Sequence, residues 1–79
     1  MKLPHDLSGK DLSNLLCRNW DYRVIHQEGS HIVLETDLPS RHRIAIPAHR
    51  FLRIGTLSAI LRSVGRHKGV DRQDLLKSL

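Results

Sequence analysis

Three short runs rich in β-branched and aromatic residues follow one another closely, and their spacing constrains the fold more than any other feature of the sequence. The runs cover residues 22–27, 30–36 and 41–46, and they are separated by Glu28-Gly29 and Leu38-Pro39-Ser40. Connections this short join antiparallel strands, because a parallel connection needs a dozen residues or more. The sequence therefore predicts a three-stranded antiparallel meander.

Alternation within the second and third runs assigns their side chains to the two faces of this sheet. Successive side chains of a strand point to opposite sides. One face is aliphatic and is expected to pack against helices; it carries Ile32, Leu34, Ile44 and Ile46. The opposite face is expected to be open to solvent and to present His31 and Arg43 together.

Helical patterns flank the strand runs on both sides. Ser8 is placed to cap a first helix, whose apolar face carries Leu12, Leu15 and Leu16. A second helix is predicted after the strands, with Gly65 as its expected end. Its apolar residues recur at i, i+3, i+4 and i+7 and are Leu57, Ile60, Leu61 and Val64.

A third, short helix is predicted to begin at Asp71, with an apolar stripe of Leu75, Leu76 and Leu79. A chain of 79 residues is long enough for one modest core. We therefore expect residues 1–79 to form a single α+β domain with the element order α-β-β-β-α and a short C-terminal helix. Its helices are expected on one face of a three-stranded antiparallel sheet.

Positive charge is concentrated in the second half of the chain. The formal net charge is +5, and residues 38–70 contain six arginines, one lysine and three histidines but no Asp or Glu. Such a distribution favours RNA or DNA as the partner over a membrane.

Compartment and cofactors are constrained by what the sequence lacks. Cys17 is the only cysteine and cannot form an internal disulfide, and the first ten residues have no apolar core of a signal peptide. No apolar run approaches the roughly 20 residues that span a bilayer, so we expect a cytoplasmic protein without membrane attachment. The six histidines lack metal-ligand spacing and no Gly-rich nucleotide loop is present, so neither a metal nor a small-molecule cofactor is predicted.

Several separated stretches together resemble the HicA (YcfA-like) family of bacterial and archaeal toxins, and the likeness covers nearly the whole chain. In chain order they are Ser8-Gly9-Lys10-Asp11-Leu12, Gln27-Glu28-Gly29-Ser30-His31, Ile46-Pro47-Ala48-His49, Ile54-Gly55-Thr56-Leu57 with Ile60-Leu61, and Gly69-Val70-Asp71. The resemblance implies a fold of the double-stranded-RNA-binding type and a metal-independent endoribonuclease that cleaves mRNA. It also implies a toxin-antitoxin system, in which a HicB-like antitoxin protein holds the toxin inactive.

His31 is the candidate catalytic residue, because it corresponds to the histidine of the family's Gly-Ser-His motif. RNA carries its own nucleophile, the 2′-hydroxyl, so one well-placed proton acceptor can start strand cleavage. An ordinary imidazole titrates near pH ~6.5, which suits that role at neutral pH. The alternative is that His31 is an ordinary polar residue on an exposed strand face.

Basic and polar side chains around the same stretches form the predicted RNA-binding set, which is Lys10, Ser30, Arg41, Arg43, His49, Arg50 and Arg53. Contacts to phosphate supply most of the salt-sensitive affinity for nucleic acid. The alternative role of the basic residues is solubility, and His49 is alternatively a loop residue that fixes a turn by hydrogen bonds. With Trp20, Tyr22 and Phe51 as the only aromatic residues, we expect little base stacking and weak sequence specificity.

Two other functions fit part of these features. A non-catalytic RNA-binding module with the same fold would grip duplex backbone by shape and would not need His31. A protein-interaction domain would turn its basic face toward an acidic partner, but it leaves the motifs unexplained.

Overall fold

The predicted order of elements is confirmed by a computed structural model, which describes residues 6–77. The elements are α1 (Gly9–Asn19), β1 (Arg23–Glu28), β2 (His31–Thr36), β3 (His42–Pro47), α2 (Ile54–Lys68) and α3 (Arg72–Leu76). Each strand lies within one residue of its predicted bounds. The fold is therefore α+β with the order α-β-β-β-α and a short C-terminal helix. Leu79, predicted to extend the apolar stripe of α3, lies outside the described residues.

The three strands form one antiparallel sheet in the order β1-β2-β3. β2 is the central strand, and its first residue, His31, is paired with Glu28 of β1 and Pro47 of β3. A bulge interrupts β1 between Val24 and His26. This irregularity decides which side chains of β1 share a face with His31.

Helix α1 begins where the sequence predicts, because the Ser8 Oγ accepts a hydrogen bond from the Asp11 amide at 3.0 Å. Helix α2, in contrast, does not end at Gly65 but continues to Lys68. The residue that ends it is Gly69, whose φ of 70° is left-handed and favours glycine. Gly65 instead admits the connector to α3, since a Cβ there would lie 2.7 Å from the Val70 carbonyl oxygen.

The core lies between the helices and one face of the sheet. Leu34 and Ile46 of the sheet and Leu16, Leu57 and Val64 of the helices are completely buried. Helix α3 packs back onto this layer through Leu75 and contacts α2. Within residues 6–77 no helix covers the other face of the sheet, and we call it the open face. None of the helices within residues 6–77 is long and apolar enough to cross a membrane.

Candidate functional site

His31 lies at the tip of the β1–β2 hairpin with its side chain exposed on the open face. Its neighbour Ile32 is buried on the helix side, as alternation requires. The turn before it is Gly29-Ser30, and Gly29 has a φ of 58°. A positive φ at the first central position is what a two-residue II′ hairpin turn requires. His31 is therefore presented at the end of a tight two-residue hairpin, on the face of the sheet opposite the helices.

Glu28 and His26 share the open face with His31, although neither is among the site residues that the sequence predicts. Glu28 is directly opposite His31, and the His26 Nε2 lies 3.5 Å from a Glu28 carboxylate oxygen. Strict alternation from Val24 would turn both side chains toward the helices. The bulge after Val24 shifts the register by one residue and brings them to the open face. A bulge has no clear signature in a single sequence, which is why these two residues were missed.

A shallow depression lies beside these residues on the open face. Its lining is His26, Glu28, Val33, Arg43, Ile44 and Ala45. Arg43 is displaced from His31 by four positions along the sheet, roughly 13 Å at 3.3 Å per residue. The depression therefore carries the His26 imidazole and the Glu28 carboxylate on the side near His31, and the Arg43 guanidinium on the opposite side.

The loop of residues 48–53 is hydrogen-bonded to the hairpin and to the start of α1. The Ala48 amide donates to the Ser30 carbonyl at 2.6 Å, and the Gly9 amide donates to the His49 carbonyl at 3.0 Å. We call this part of the molecule, residues 8–10, 28–31 and 47–53, the His31 end. It brings five of the predicted RNA-binding residues onto segments that adjoin His31; they are Lys10, Ser30, His49, Arg50 and Arg53.

Arg41 and Arg43, the other two predicted RNA-binding residues, are held by a carboxylate instead. Glu35 is only 5% exposed, although it lies on the open face. Arg43 donates to one of its oxygens from Nε at 3.2 Å and from a terminal nitrogen at 2.9 Å. Arg41 and Arg23 approach the other oxygen, each at 3.4 Å. The stems and charges of three arginines therefore cover Glu35, and they explain why a carboxylate on the open face is buried.

A second concentration of arginine lies between α2 and α3. Arg62, Arg66 and Arg72 line a groove of about 500 Å³ together with Asp71. Arg72 donates to the Ser58 Oγ at 3.0 Å, which lays its guanidinium against α2. Within residues 6–77, none of these three arginines forms an ion pair. The acid-free segment of the sequence contains two of them, but only the packing of α3 onto α2 brings in the third.

His42 has a structural role, because its side chain lies on the helix side of the sheet and not on the open face. Its Nδ1 lies 2.9 Å from the Tyr22 hydroxyl, its Nε2 lies 3.3 Å from the Ser63 Oγ, and the His67 ring stacks on it at 4.3 Å. Burial lowers the pKa of His42, and the charges of His67 and Lys68 lower it further. A neutral His42 is hydrogen-bonded to Tyr22 through Nδ1 and to Ser63 through Nε2, and it thereby links the residue before β1, strand β3 and helix α2.

We also looked for a metal-binding cluster and for similar proteins. In the part of the chain that the structure describes, no three His, Cys, Asp or Glu side chains are grouped so that they could hold a metal ion. The chain matches no protein-family model, and it has no significant match among the curated proteins or the solved structures.

Proposed function

We propose that this protein is an endoribonuclease of the HicA toxin type, which cleaves mRNA with His31 as its catalytic base. The observation that carries the proposal is the exposed imidazole of His31 at the tip of a tight hairpin, on the same face as a carboxylate and a second imidazole. The resemblance of the Gly29-Ser30-His31 motif to the family's catalytic motif adds to it. An exposed imidazole next to cations is accessible to a ribose hydroxyl and to the phosphate that follows it.

In the proposed reaction, His31 accepts the proton of a ribose 2′-hydroxyl. The resulting oxygen attacks the adjacent phosphorus, the bond from phosphorus to the 5′-oxygen breaks, and a cyclic phosphate remains on the upstream product. The leaving 5′-oxygen takes a proton, for which His26 is the second imidazole on the same face. As the diagonal cross-strand neighbour of His31, His26 lies at about 7–8 Å between backbone positions. General acid–base catalysis contributes roughly 10²–10⁴-fold, which is enough for a slow toxin.

In this proposal, the main phosphate-binding residues are those of the His31 end. Lys10, Arg50 and Arg53 are exposed on segments that adjoin His31, and cations placed this way orient the strand by its phosphates. Arg41 and Arg43 would have to give up part of their bonding to Glu35 to do the same. The arginines of the α2–α3 groove are a second surface for the same strand.

An antitoxin partner fits the same surface. A HicB-like protein with acidic side chains would cover the open face, exclude RNA from His31 and satisfy the cations around it. Such a complex accounts for a sheet face that no element within residues 6–77 covers.

The test is cleavage of RNA by purified His31→Ala protein. Because His31 is exposed, we expect an unchanged fold by circular dichroism, retained RNA binding, and a loss of cleavage of at least ~100-fold. His67→Asn is the matched control, since it removes an imidazole that contacts the Ser40 carbonyl on the helix side and leaves the open face intact. Undiminished cleavage by the His31→Ala variant would remove His31 from the mechanism. RNA binding without cleavage by the unaltered protein would favour the non-catalytic RNA-binding module instead.

A further inference from the structure

Phe51 differs from the other two aromatic residues in its exposure. Tyr22 is buried and Trp20 is half-buried in the core layer, whereas the Phe51 side chain is 56% exposed. All three aromatic residues of the chain lie within the described range. Phe51 is thus the aromatic residue that does not pack in the core, and it is also the one that lies at the His31 end.

The position of Phe51 is fixed by its neighbours and not by its own packing. The next residue, Leu52, is 3% exposed, and its amide donates to the Leu7 carbonyl at 2.8 Å. Before it, the Ala48 amide is bonded to Ser30. The loop is therefore held on both sides of Phe51, so that a ligand meeting the ring orders little additional backbone.

The ring and His31 are within reach of one short stretch of an RNA strand. Ala48 is hydrogen-bonded to Ser30, which directly precedes His31 in the chain. Phe51 is three residues beyond Ala48, and three residues span at most about 11 Å. A nucleotide whose phosphate lies near His31 is therefore close to a nucleotide whose base lies near Phe51.

Arg50 gives this ring the chemistry of a single-strand binding site. Its guanidinium carbon lies 5.4 Å from the centre of the Phe51 ring, in a cation–π arrangement. Proteins that bind single-stranded nucleic acid combine an aromatic ring, on which a base stacks, with cations that hold the backbone. A base inside a duplex is already stacked on its neighbours and is not accessible to such a ring.

We propose that Phe51, assisted by Arg50, stacks with one unpaired nucleobase of the RNA and so places the neighbouring phosphodiester at His31. The substrate of this site is then a single-stranded segment, and one nucleotide next to the cleaved bond contributes more than the others. The inference rests on the proposed ribonuclease function and adds the way in which the substrate is seated. Arg50 beside the ring, together with the exposed cations Lys10 and Arg53 on the other segments of the His31 end, favours a polyanion over an apolar protein segment as the occupant.

The experiment measures binding in a His31→Ala background, in which the RNA stays intact. The probes are a short single-stranded oligoribonucleotide and a set of copies that each lack one base, scanned along the strand. Phe51→Ala and Phe51→Leu are compared with Phe51→Tyr and Phe51→Trp. Because Phe51 is exposed, all four substitutions leave the core untouched.

We expect Phe51→Ala and Phe51→Leu to weaken binding by about 5-fold to 100-fold, the equivalent of one stacked base. Phe51→Tyr and Phe51→Trp should bind as the parent does, because stacking needs an aromatic face and not just an apolar one. Removal of one particular base should weaken binding to the parent by a similar factor and leave binding to the Phe51→Ala variant unchanged.

Different outcomes would overturn the stacking inference alone or both the stacking inference and the ribonuclease proposal. The stacking inference is wrong if the His31→Ala parent binds RNA and all four Phe51 variants bind it equally well. It is also wrong if the Phe51→Leu variant keeps the full affinity of the parent. In both cases the ribonuclease proposal stands. If Phe51→Ala loses affinity but no single abasic position reproduces the loss, the base is not the ligand of the ring. If the parent binds no RNA and the unaltered protein cleaves none, both proposals fail.

Discussion

At the scale of single residues, Gly9 determines how closely α1 approaches the exit of β3. Its amide donates to the His49 carbonyl, and its own carbonyl accepts a hydrogen bond from the Ser13 hydroxyl at 2.8 Å. A Cβ at this position would overlap the Pro47 carbonyl oxygen. Only glycine permits this contact, which fixes the loop carrying His49 and Phe51 against the helix.

We predict that Gly9→Ala destabilises the protein, because the added methyl group would overlap backbone atoms of Pro47 and Ala48, which cannot move independently of β3. The expected loss in the free energy of unfolding is about 1–3 kcal/mol or more, as for overpacking elsewhere. Gly55→Ala is the control. A Cβ at Gly55 meets nothing within 4 Å, and alanine favours the helix by up to about 1 kcal/mol. Urea unfolding measures both, and equal stabilities of the two variants would contradict this account.

Individual residues show what the sequence could and could not reveal about the site. The exposure of His31 was predicted correctly, because alternation along β2 follows directly from the positions of Ile32 and Leu34. The presence of Glu28 and His26 beside it was not predicted, because it depends on a bulge that shifts the register of β1. The burial of Glu35 was not predicted either, since it requires three arginines from different positions to converge.

At the scale of elements, a polar junction joins β1, β3 and α2 at the end of the sheet remote from His31. Tyr22 and His42 form its centre, and Lys68 places its ammonium 5.0 Å from the centre of the Tyr22 ring. The same ammonium donates to the Thr36 hydroxyl at 2.9 Å and to the Leu38 carbonyl at 2.6 Å. The junction therefore ties the last turn of α2 to the connection between β2 and β3.

We predict that this junction makes the stability of the protein sensitive to alkaline pH. Burial raises the pKa of Tyr22 from its ordinary 10.0 to about 12. The unfolded chain loses this proton first, so the stabilisation is complete below pH ~10 and is lost as the pH rises toward 12. The expected loss is about 2–3 kcal/mol.

Tyr22→Phe is the informative variant for this prediction. It should be less stable at neutral pH by about 1 kcal/mol, because the hydrogen bond to His42 is removed. The difference from the unaltered protein should shrink and then reverse between pH 10 and 12. Lys68 titrates in both proteins, so comparing their denaturant midpoints isolates the phenol. Parallel stability curves over this range would show that Tyr22 does not titrate as described.

The bounds of elements were predicted best where local signals decide them. The start of α1 at Ser8 and the turn at Gly29 follow from residues that act within four positions. The end of α2 was misplaced, because Gly65 and Gly69 are equivalent in a sequence pattern. Only the path of the connector between α2 and α3 shows that Gly65 makes room for Val70 and that Gly69 adopts the left-handed conformation.

At the scale of the whole molecule, positive charge is divided between a neutralised and an unneutralised region. On the open face, Glu35 and Asp37 compensate much of the charge of the arginines that contact them. Among residues 6–77, Asp71 is the only carboxylate that lines the α2–α3 groove with Arg62, Arg66 and Arg72. The uneven charge that is visible in the sequence therefore predicts a polyanion partner but not where its phosphates bind.

We predict that the groove contributes to the salt dependence of RNA binding. For single strands, the logarithm of the affinity falls with the logarithm of salt concentration by about 0.7 for each phosphate contact. Arg62→Gln and Arg66→Gln should each reduce this slope by roughly that amount. Arg23→Gln is the control, because Glu35 and Asp37 already engage this arginine, and it should change the slope less. An unchanged slope in both groove variants would assign the phosphate contacts to other surfaces.

The bulge in β1 has a consequence for association as well as for the site. A sheet of three strands has two edges, and an edge with a regular backbone is a template on which the strand of another molecule can add and start a fibril. The irregularity between Val24 and His26 disrupts the spacing of amide and carbonyl groups along one of these edges. The feature that turns His26 and Glu28 toward the open face thus also makes this edge of the sheet a poorer template for self-association of the protein.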